Sequence, residues 1–516
     1  MPRLYRDLVT LDFANTQEQA RMRASVNAVR AQLGKRYPLR VDGVPLPAGA
    51  VFQSTDPSDP NVVIGEVASG SAADAEAAVS GAARAAKSWG AVAPEERAAL
   101  LLRVCESILR RRRELVAWMA FDAGKNFSEA DAELIESVQH IAWIAERLMA
   151  ARPVRWASVE SDVVVEAADS AVGAGVILTP FSFPAALPLG IAAAAIAMGN
   201  TVVVKPSKVA PVAAHQALLA FEEAGLPPGV LNVVTGEDPT LREALVRHPS
   251  VRFASFVGSR VGGAAVEAAA STWTAGQEHP RRFIARTDGK AATIVTTSAD
   301  LPWAVHEVVR SAFSYQGQKC TSTAHLILLS AVHDEFLDRL LQAIDEYAAD
   351  RGPAWENHRY GPLVSAAALQ RVRGYASQAA RDAAVLRPGD EAGPGHFIGP
   401  VVVDDVPTDS RIGSEEIFGP FLSVMRAGTL ARAVELASGT GTAPAAAAFT
   451  RDARDAQFIR EHLLARTLYL NGASTGPLAG VRSPSGEEGN PREPDDPAAY
   501  YETRTIVERY AIPNLE

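Results

Sequence analysis

Two cysteines in 516 residues leave no material for a disulfide framework, which fits a reducing compartment. Positive charge is also in short supply. Lys and Arg number 50 against 60 Asp and Glu, a formal net charge of −10, which argues against nonspecific nucleic-acid binding and leaves room only for a local basic patch. No apolar run is long enough to span a bilayer: the most apolar, Gly190 to Val204, is broken by Gly199-Asn200 and followed by Lys205. The opening MPRLYRDLVTLDFANTQEQ lacks the apolar core of a signal peptide. A cytoplasmic protein is expected, with neither membrane nor nucleic acid as partner. The histidines, His140 and His325 among them, have no metal-ligand spacing, so no metal site is expected. What is present is 47% hydrophobic and 21% charged residues, the balance of a soluble globular chain long enough for two or three domains.

The pattern along the chain is that of an α/β protein. Residues 1–35 are polar with helical spacing and read as an arm over the domain that follows. Short strands punctuated by Gly, Pro and Asp come next. Ser71 to Trp89 and Pro94 to Ala123 read as amphipathic helices, the second opened by Pro94-Glu95-Glu96, with proline in the first turn and acids at the positive end of the dipole. Cys105 within it reads as a small core residue, and Arg110–Arg113 as a solvated helix face offset by neighbouring carboxylates. Val154 to Val172 alternates in part and suggests a hairpin. From Gly175 to about Val295, β-branched runs (GVILTP, NTVVVKP, GVLNVVTG, VRFASFVGS, KAATIVTT) alternate with helical ones, which predicts a parallel, doubly wound sheet. A second α/β segment spans Leu301 to about Leu464. Glycine and acid at Ser483 to Pro497 (SPSGEEGNPREPDDP) predict a surface loop, and TIVERYAI a last strand joining a partner's sheet.

One stretch carries reactive chemistry: Phe313-Ser314-Tyr315-Gln316-Gly317-Gln318-Lys319-Cys320-Thr321-Ser322. It lies between a helix-like run and the apolar run Ala324 to Leu329. Gly317 marks a tight turn or a close approach by a ligand. A thiol at such a junction is either a nucleophile presented to a cleft or a buried structural cysteine. Thr201–Lys205 reads as a buried strand ending in a cation, with Ser207 and Lys208 just beyond, where parallel sheets bind ligands. Gly258-Ser259 leads from another strand to Arg260-Val261-Gly262-Gly263, small residues that let a helix start approach a pyrophosphate.

GAGVILTPFSFP, NTVVVKPSK, RFASFVGSRVGG, GQKCTS and EEIFGPF, in this order and spacing, resemble the aldehyde dehydrogenase superfamily. Within it, KRYPLRVDG, PEERAALLLRVCESILRRRRELVAWM and SYQGQKC are most similar to the 1-pyrroline-5-carboxylate (glutamate semialdehyde) dehydrogenase group. The resemblance implies a dinucleotide-binding domain (1–152 and 173–288), a catalytic domain (289–467) and an oligomerisation hairpin with C-terminal strand (153–172 and 485–516). It implies Cys320 as the nucleophile that forms a thiohemiacetal and then a thioester, Lys205 on the adenosine ribose, and Glu416 with Phe418 beside the nicotinamide ribose. NAD is the implied cofactor. NADP is the alternative, because Lys208 stands where NAD-preferring relatives often place a carboxylate, and a cation there would attract a 2′-phosphate; a solvated loop lysine is the other reading of Lys208. A small aldehyde or acyl thioester is the implied partner, with further copies of the chain in a homodimer or higher homo-oligomer.

The resemblance breaks at three places. Ser182, in Phe181-Ser182-Phe183-Pro184, replaces the asparagine that supplies an oxyanion-hole donor beside the cysteine's own N–H. Arg286, in Ala285-Arg286-Thr287-Asp288-Gly289-Lys290, replaces the glutamate that acts as base in releasing the product, and arginine accepts no proton. It would still favour a thiolate nearby. The loop implied to hold a substrate carboxylate, with Thr321 after the cysteine, reads Asn471-Gly472-Ala473-Ser474-Thr475-Gly476-Pro477, and Pro477 offers no N–H. Three readings follow: an aldehyde-oxidising enzyme with impaired hydrolytic release, a cysteine acyltransferase that keeps the dinucleotide site, and a binding protein that has lost catalysis.

Overall fold

The computed structural model describes residues 5, 7–47, 49–150, 154–157, 163–236, 239–287, 289–390, 393–439, 443–475 and 493–509, with backbone alone for 154–157 and 163. Two seven-stranded sheets dominate it. The first runs Arg282–Thr287, Phe253–Gly258, Ala174–Leu178, Thr201–Lys205, Leu231–Val233, then the antiparallel pair Leu39–Val41 and Val44–Leu46. Its first five strands are parallel, and the chain order reverses at Ala174–Leu178. The carboxyl ends on either side of that reversal form the crevice where doubly wound sheets take ligands. Helices Ala186–Ala197 and Pro211–Glu223 connect these strands. The first has alanine or a branched apolar residue at nearly every position and is almost wholly buried.

The second sheet runs Ala384–Pro388, Val401–Asp404, Phe421–Ala427, Thr323–Leu329, Ala291–Val295, Ala443–Phe449 and Ala465–Leu470, with only its first strand antiparallel. Ala291–Val295, the KAATIVTT run expected within the dinucleotide sheet, is therefore a central strand here. All its side chains are buried, and a continuously apolar run does not say which of two sheets it enters.

The arm is the helix Thr16–Arg30, opened by Asn15, whose side chain accepts from the N–H groups of Gln17 and Glu18. The stretch expected as one helix from Pro94 to Ala123 is two, Pro94–Arg110 and Arg112–Ala123, broken at Arg111. Arg111 and Arg112 are not a solvated face. Their side chains are 12% and 11% exposed, Arg111 pairing with Glu114 and Glu223 and Arg112 with Asp131. Charge that reads as surface in the sequence here fastens three helices together.

A three-stranded sheet joins Val154–Ala157, Val163–Ala171 and Tyr501–Arg509. The last strand, expected on a partner's sheet, pairs antiparallel with this chain's own hairpin from Tyr501↔Ala171 to Arg509↔Val163. The described end of the supposed surface loop is also buried: Glu493 is 9% and Asp495 6% exposed. Tyr500 anchors it. Its hydroxyl donates to the Pro494 carbonyl and meets Ser255 Oγ at 2.8 Å, its carbonyl accepts from Asn200 Nδ2 at 2.7 Å, and its ring packs on Phe253. Among the described residues no helix is long and apolar enough to cross a membrane.

Candidate active site

Helix Leu301–Phe313 ends in a tight turn, Ser314–Gly317, in which Tyr315, Gln316 and Gly317 take φ of 47°, 52° and 67°. Left-handed backbone at two non-glycine residues persists only when the surroundings over-determine it. Tyr315 Oη donates to the Ala123 carbonyl at 2.8 Å, and Gln318 Nε2 donates to the Tyr315 carbonyl at 3.2 Å while its Oε1 accepts from Val364 N at 3.0 Å. Gly317 has its own reason: a Cβ there would lie 2.2 Å from the Gly419 carbonyl oxygen. The turn delivers Cys320, partly exposed, just ahead of the strand Thr323–Leu329.

Three further segments converge on this turn. Lys125, buried and paired with Glu133, lies 4.3 Å from the Phe183 ring centroid and 4.7 Å from that of Tyr315. It thus holds the Phe181–Pro184 turn, with its buried Ser182, beside the cysteine segment. Glu133 Oε1 accepts from Ala185 N and Ala186 N at 2.8 and 2.9 Å, which fixes the start of the helix behind Ser182. Phe181 meets Phe418 edge-on, with 5.7 Å between centroids, and Arg371 holds the Glu416–Phe418 loop through the carbonyls of Ile417 and Phe418. The third segment is Asn471–Thr475. Ser474 Oγ donates to the Thr321 carbonyl at 2.6 Å and lies 3.1 Å from Thr323 Oγ1, which also meets Ser311 and Thr293. Thr475 thus sits in a loop tied to the residue after the thiol. Gly476, Pro477 and Asp288 lie outside the described residues.

Arg286, at the end of the strand Arg282–Thr287, donates from Nη2 to Glu493 Oε2 at 2.6 Å and to Asp495 Oδ1 at 2.8 Å, and from Nε to Glu493 at 3.1 Å. Arg466 pairs with Glu493 from the other sheet. Burial pulls the Arg286 guanidinium down, but Asp495 and Cys320 outweigh it and hold the group above its ordinary value. Burial pushes the Cys320 thiol up. Arg286 opposes that, while Glu416 and Glu136 add to it.

Sequence reasoning missed four of these neighbours: Glu136, Arg466, Glu493 and Asp495. Glu136 had a signal, since Glu129, Glu133 and Glu136 recur at helical spacing on one face of Phe127–Ala150, and Glu129 reaches Lys319 at 3.7 Å. Glu493 and Asp495 had none, being set among turn-forming residues.

Of the expected dinucleotide residues, Lys205, Ser207, Lys208, Gly258 and Ser259 lie at the carboxyl ends of the first sheet, and Glu416 and Phe418 in the loop before Phe421–Ala427 of the second. Lys205 closes the strand Thr201–Lys205; burial, then Arg242 and Lys208, press its ammonium down to about 8. A cation held in this way favours an oxygen-rich or anionic ligand. Ser207 Oγ accepts from Val209 N at 3.1 Å and shapes the turn, while Lys208 is exposed. Gly258 ends its strand, and Ser259 caps the helix Arg260–Ser271 by accepting from Gly262 N at 3.1 Å. A Cβ at Gly263 would lie 2.5 Å from Thr287 Cγ2, so glycine lets this helix start lie flat on the sheet. A helix start aimed at the same crevice as Lys205 fits a pyrophosphate.

A doubly wound sheet, a cysteine turn and a carboxylate loop in this arrangement define an aldehyde-oxidising architecture, and the Aldehyde dehydrogenase family model matches residues 47–490. The chain belongs to that family and is an oxidoreductase. It is 30% identical over 505 residues to a 1-pyrroline-5-carboxylate dehydrogenase of Bacillus subtilis (97% of this chain, 98% of that protein), and 31% identical over 508 residues to one of Geobacillus thermodenitrificans, with the same coverage. Among solved structures, a 1-pyrroline-5-carboxylate dehydrogenase from Thermus with bound NAD superposes with a TM-score of 0.93 at 33% identity, over 97% of this chain and 98% of that one.

Proposed function

We propose that this chain oxidises an aldehyde, with a semialdehyde as the favoured class, through Cys320 with NAD as cofactor and NADP as the alternative, and that it releases the acyl group slowly by hydrolysis. Lys205, Ser207, the Gly258-Ser259 helix start, Glu416 and Phe418 would hold the dinucleotide. When bound, that group supplies the hydride acceptor that raises the carbonyl carbon to the oxidation level of a thioester. Cys320 Sγ attacks the aldehyde carbon, and the developing oxyanion is met by the cysteine's own N–H and by the Ser182 hydroxyl. Thr321 and Thr475 line the substrate side. The NAD-bound Thermus structure and the curated relatives support the cofactor and the substrate class.

One observation supports the slow release: Arg286, which the resemblance puts in place of the base, is committed to Glu493 and Asp495. It can take no proton from water, and general-base help is worth about 10²–10⁴-fold. Release to a thiol or an amine avoids that step. We assign the sheet of Val154–Ala157, Val163–Ala171 and Tyr501–Arg509 to contact between copies of the chain, its outer strand being largely exposed.

The test is to mix the protein with NAD or NADP and a panel of aldehydes, with and without coenzyme A or an amine, and to follow reduced cofactor and intact mass together. One equivalent of reduced cofactor and an acyl adduct mapped to Cys320, released faster by thiol or amine, is the expected result. Sustained turnover in water alone overturns slow release. No adduct and no reduction, in a protein that binds the dinucleotide, overturns the catalytic reading. Cys320→Ala abolishes the adduct.

A further inference from the structure

Cys320 couples electrostatically to Arg286 and Arg466, which among the described residues belong to a group of four charges. Arg286, from the first sheet, binds Glu493 and Asp495 at 2.6 and 2.8 Å, and Arg466, from the second, pairs with Glu493. The two carboxylates arrive on a single short segment whose position is fixed independently of the arginines. His140 Nε2 donates to the Asp495 carbonyl at 2.9 Å, and Tyr500 clamps Pro494. All three side chains bound to Arg286 or forming it are largely enclosed, at 20%, 11% and 9% exposure for Arg286, Glu493 and Asp495. Among the described residues the group is built from two cations and two anions, whose charges cancel. Two lone guanidiniums at this place would draw a proton off the thiol.

We propose that Glu493 and Asp495 are positioning residues of the thiol site: by pairing with Arg286 and Arg466 they cancel the positive field beside Cys320 and keep its sulfur a thiol in the resting protein. The inference rests on Cys320 being the nucleophile. Among the described residues, the other charged groups that act on the sulfur are Glu416, from the loop before Phe421–Ala427, and Glu136, from the helix Phe127–Ala150. Both disfavour thiolate and so act in the same sense. Burial of the sulfur does likewise; Arg286 and the cysteine's own backbone N–H act toward thiolate, and the two carboxylates are the brake on the arginine.

The test measures the alkylation rate of Cys320 by iodoacetamide against pH, located by peptide mass, in the full-length protein and in the Glu493→Gln and Asp495→Asn variants. No aldehyde or cofactor is needed, so the result does not depend on turnover. Removing one carboxylate leaves a net positive charge near the sulfur, and the alkylation midpoint falls by about one unit, the low end for an opposite charge at close range. Below the midpoint the rate rises by only about threefold, because a less basic thiolate is also a poorer nucleophile. Glu493→Asp and Asp495→Glu keep the charge and return the midpoint toward its original value. If the segment merely shields the thiol, the high-pH plateau rises and the midpoint stays, which overturns the proposal. An unchanged or higher midpoint in both variants overturns it as well. Absence of Cys320 alkylation at any pH, with Arg286→Met equally inert, instead removes Cys320 as a reactive thiol and with it the catalytic reading.

Discussion

The Arg286 guanidinium bonds Asp495 Oδ1 at 2.8 Å across 209 residues of chain. It ties the last strand of the first sheet to the segment that leads into the outer strand of the small one.

Breaking this pair costs stability. Arg286→Met deletes three hydrogen bonds to two enclosed carboxylates. Removing one partner of a buried pair typically costs about 3–5 kcal/mol; with a fifth of the Arg286 side chain exposed, about 3 kcal/mol is expected. Urea unfolding of variant and parent measures it, and a loss below about 1 kcal/mol would mean the pairing contributes only as a surface bridge does.

Restoring a base should restore release. In the triple variant Arg286→Glu, Glu493→Gln, Asp495→Asn the new carboxylate has neutral neighbours in place of Glu493 and Asp495. Thioester release into water, followed by intact mass after a single turnover, should quicken by about 10²-fold. No change would show that water is excluded for reasons other than the missing base.

Ser182→Asn supplies a longer donor at the oxyanion position. Loss of such a donor costs about 2.7–4 kcal/mol in other enzymes, so part of that should return as a faster formation of the Cys320 adduct, by about tenfold or more. The burst of reduced cofactor reports it, and a burst no faster than the parent's removes Ser182 from the oxyanion site.

Lys205→Met should separate binding from stability. The Lys205 ammonium is pressed from 10.5 to about 8 by burial and by Arg242 and Lys208, so the folded state carries a penalty for the charge. That penalty is complete below pH 8 and is lifted as pH rises from 8 to 10.5, because the unfolded chain binds the proton more tightly there. The variant should therefore melt at a higher temperature than the parent at pH 7, with the gain shrinking toward pH 10, while dinucleotide affinity falls. Thermal scans at both pH values and titration calorimetry read the two effects. A lower melting temperature at pH 7 would sink the argument.

Gly317→Ala meets two obstacles, a φ of 67° and a carbonyl oxygen 2.2 Å from the new Cβ. Left-handed strain alone costs about 1–2 kcal/mol, and the clash with backbone adds to it. Lower thermal stability together with slower Cys320 alkylation is expected; a variant indistinguishable from the parent in both would show that the turn relaxes freely.

Most of the fold was legible because its signals are local. A β-branched run such as Thr201–Lys205 says strand within its own few residues, and Pro94-Glu95-Glu96 says helix start. The cysteine turn, Lys205 and the Glu416–Phe418 loop were readable for the same reason, each being a compact string. What the sequence hid depends on distant partners. Glu493 and Asp495 sit among Gly, Pro and other acids, a composition that describes a wetted loop until Arg286 and Arg466 are found opposite. Arg111 and Arg112 were misread likewise, since Glu223 and Asp131, which enclose them, come from other helices. Ala291–Val295 was recognisable as a strand but not as a member of the second sheet, because burial on both faces looks alike in either.

The clamp at Tyr500 has a mechanical corollary. One short length of backbone carries the carboxylates that neutralise the thiol's neighbours and then becomes the rim strand beside Val163–Ala171. Tension applied at that rim, whether by a docked subunit or by an engineered truncation meant only to dissociate one, acts first on the Tyr500 clamp and on the two carboxylates it sets against Arg286.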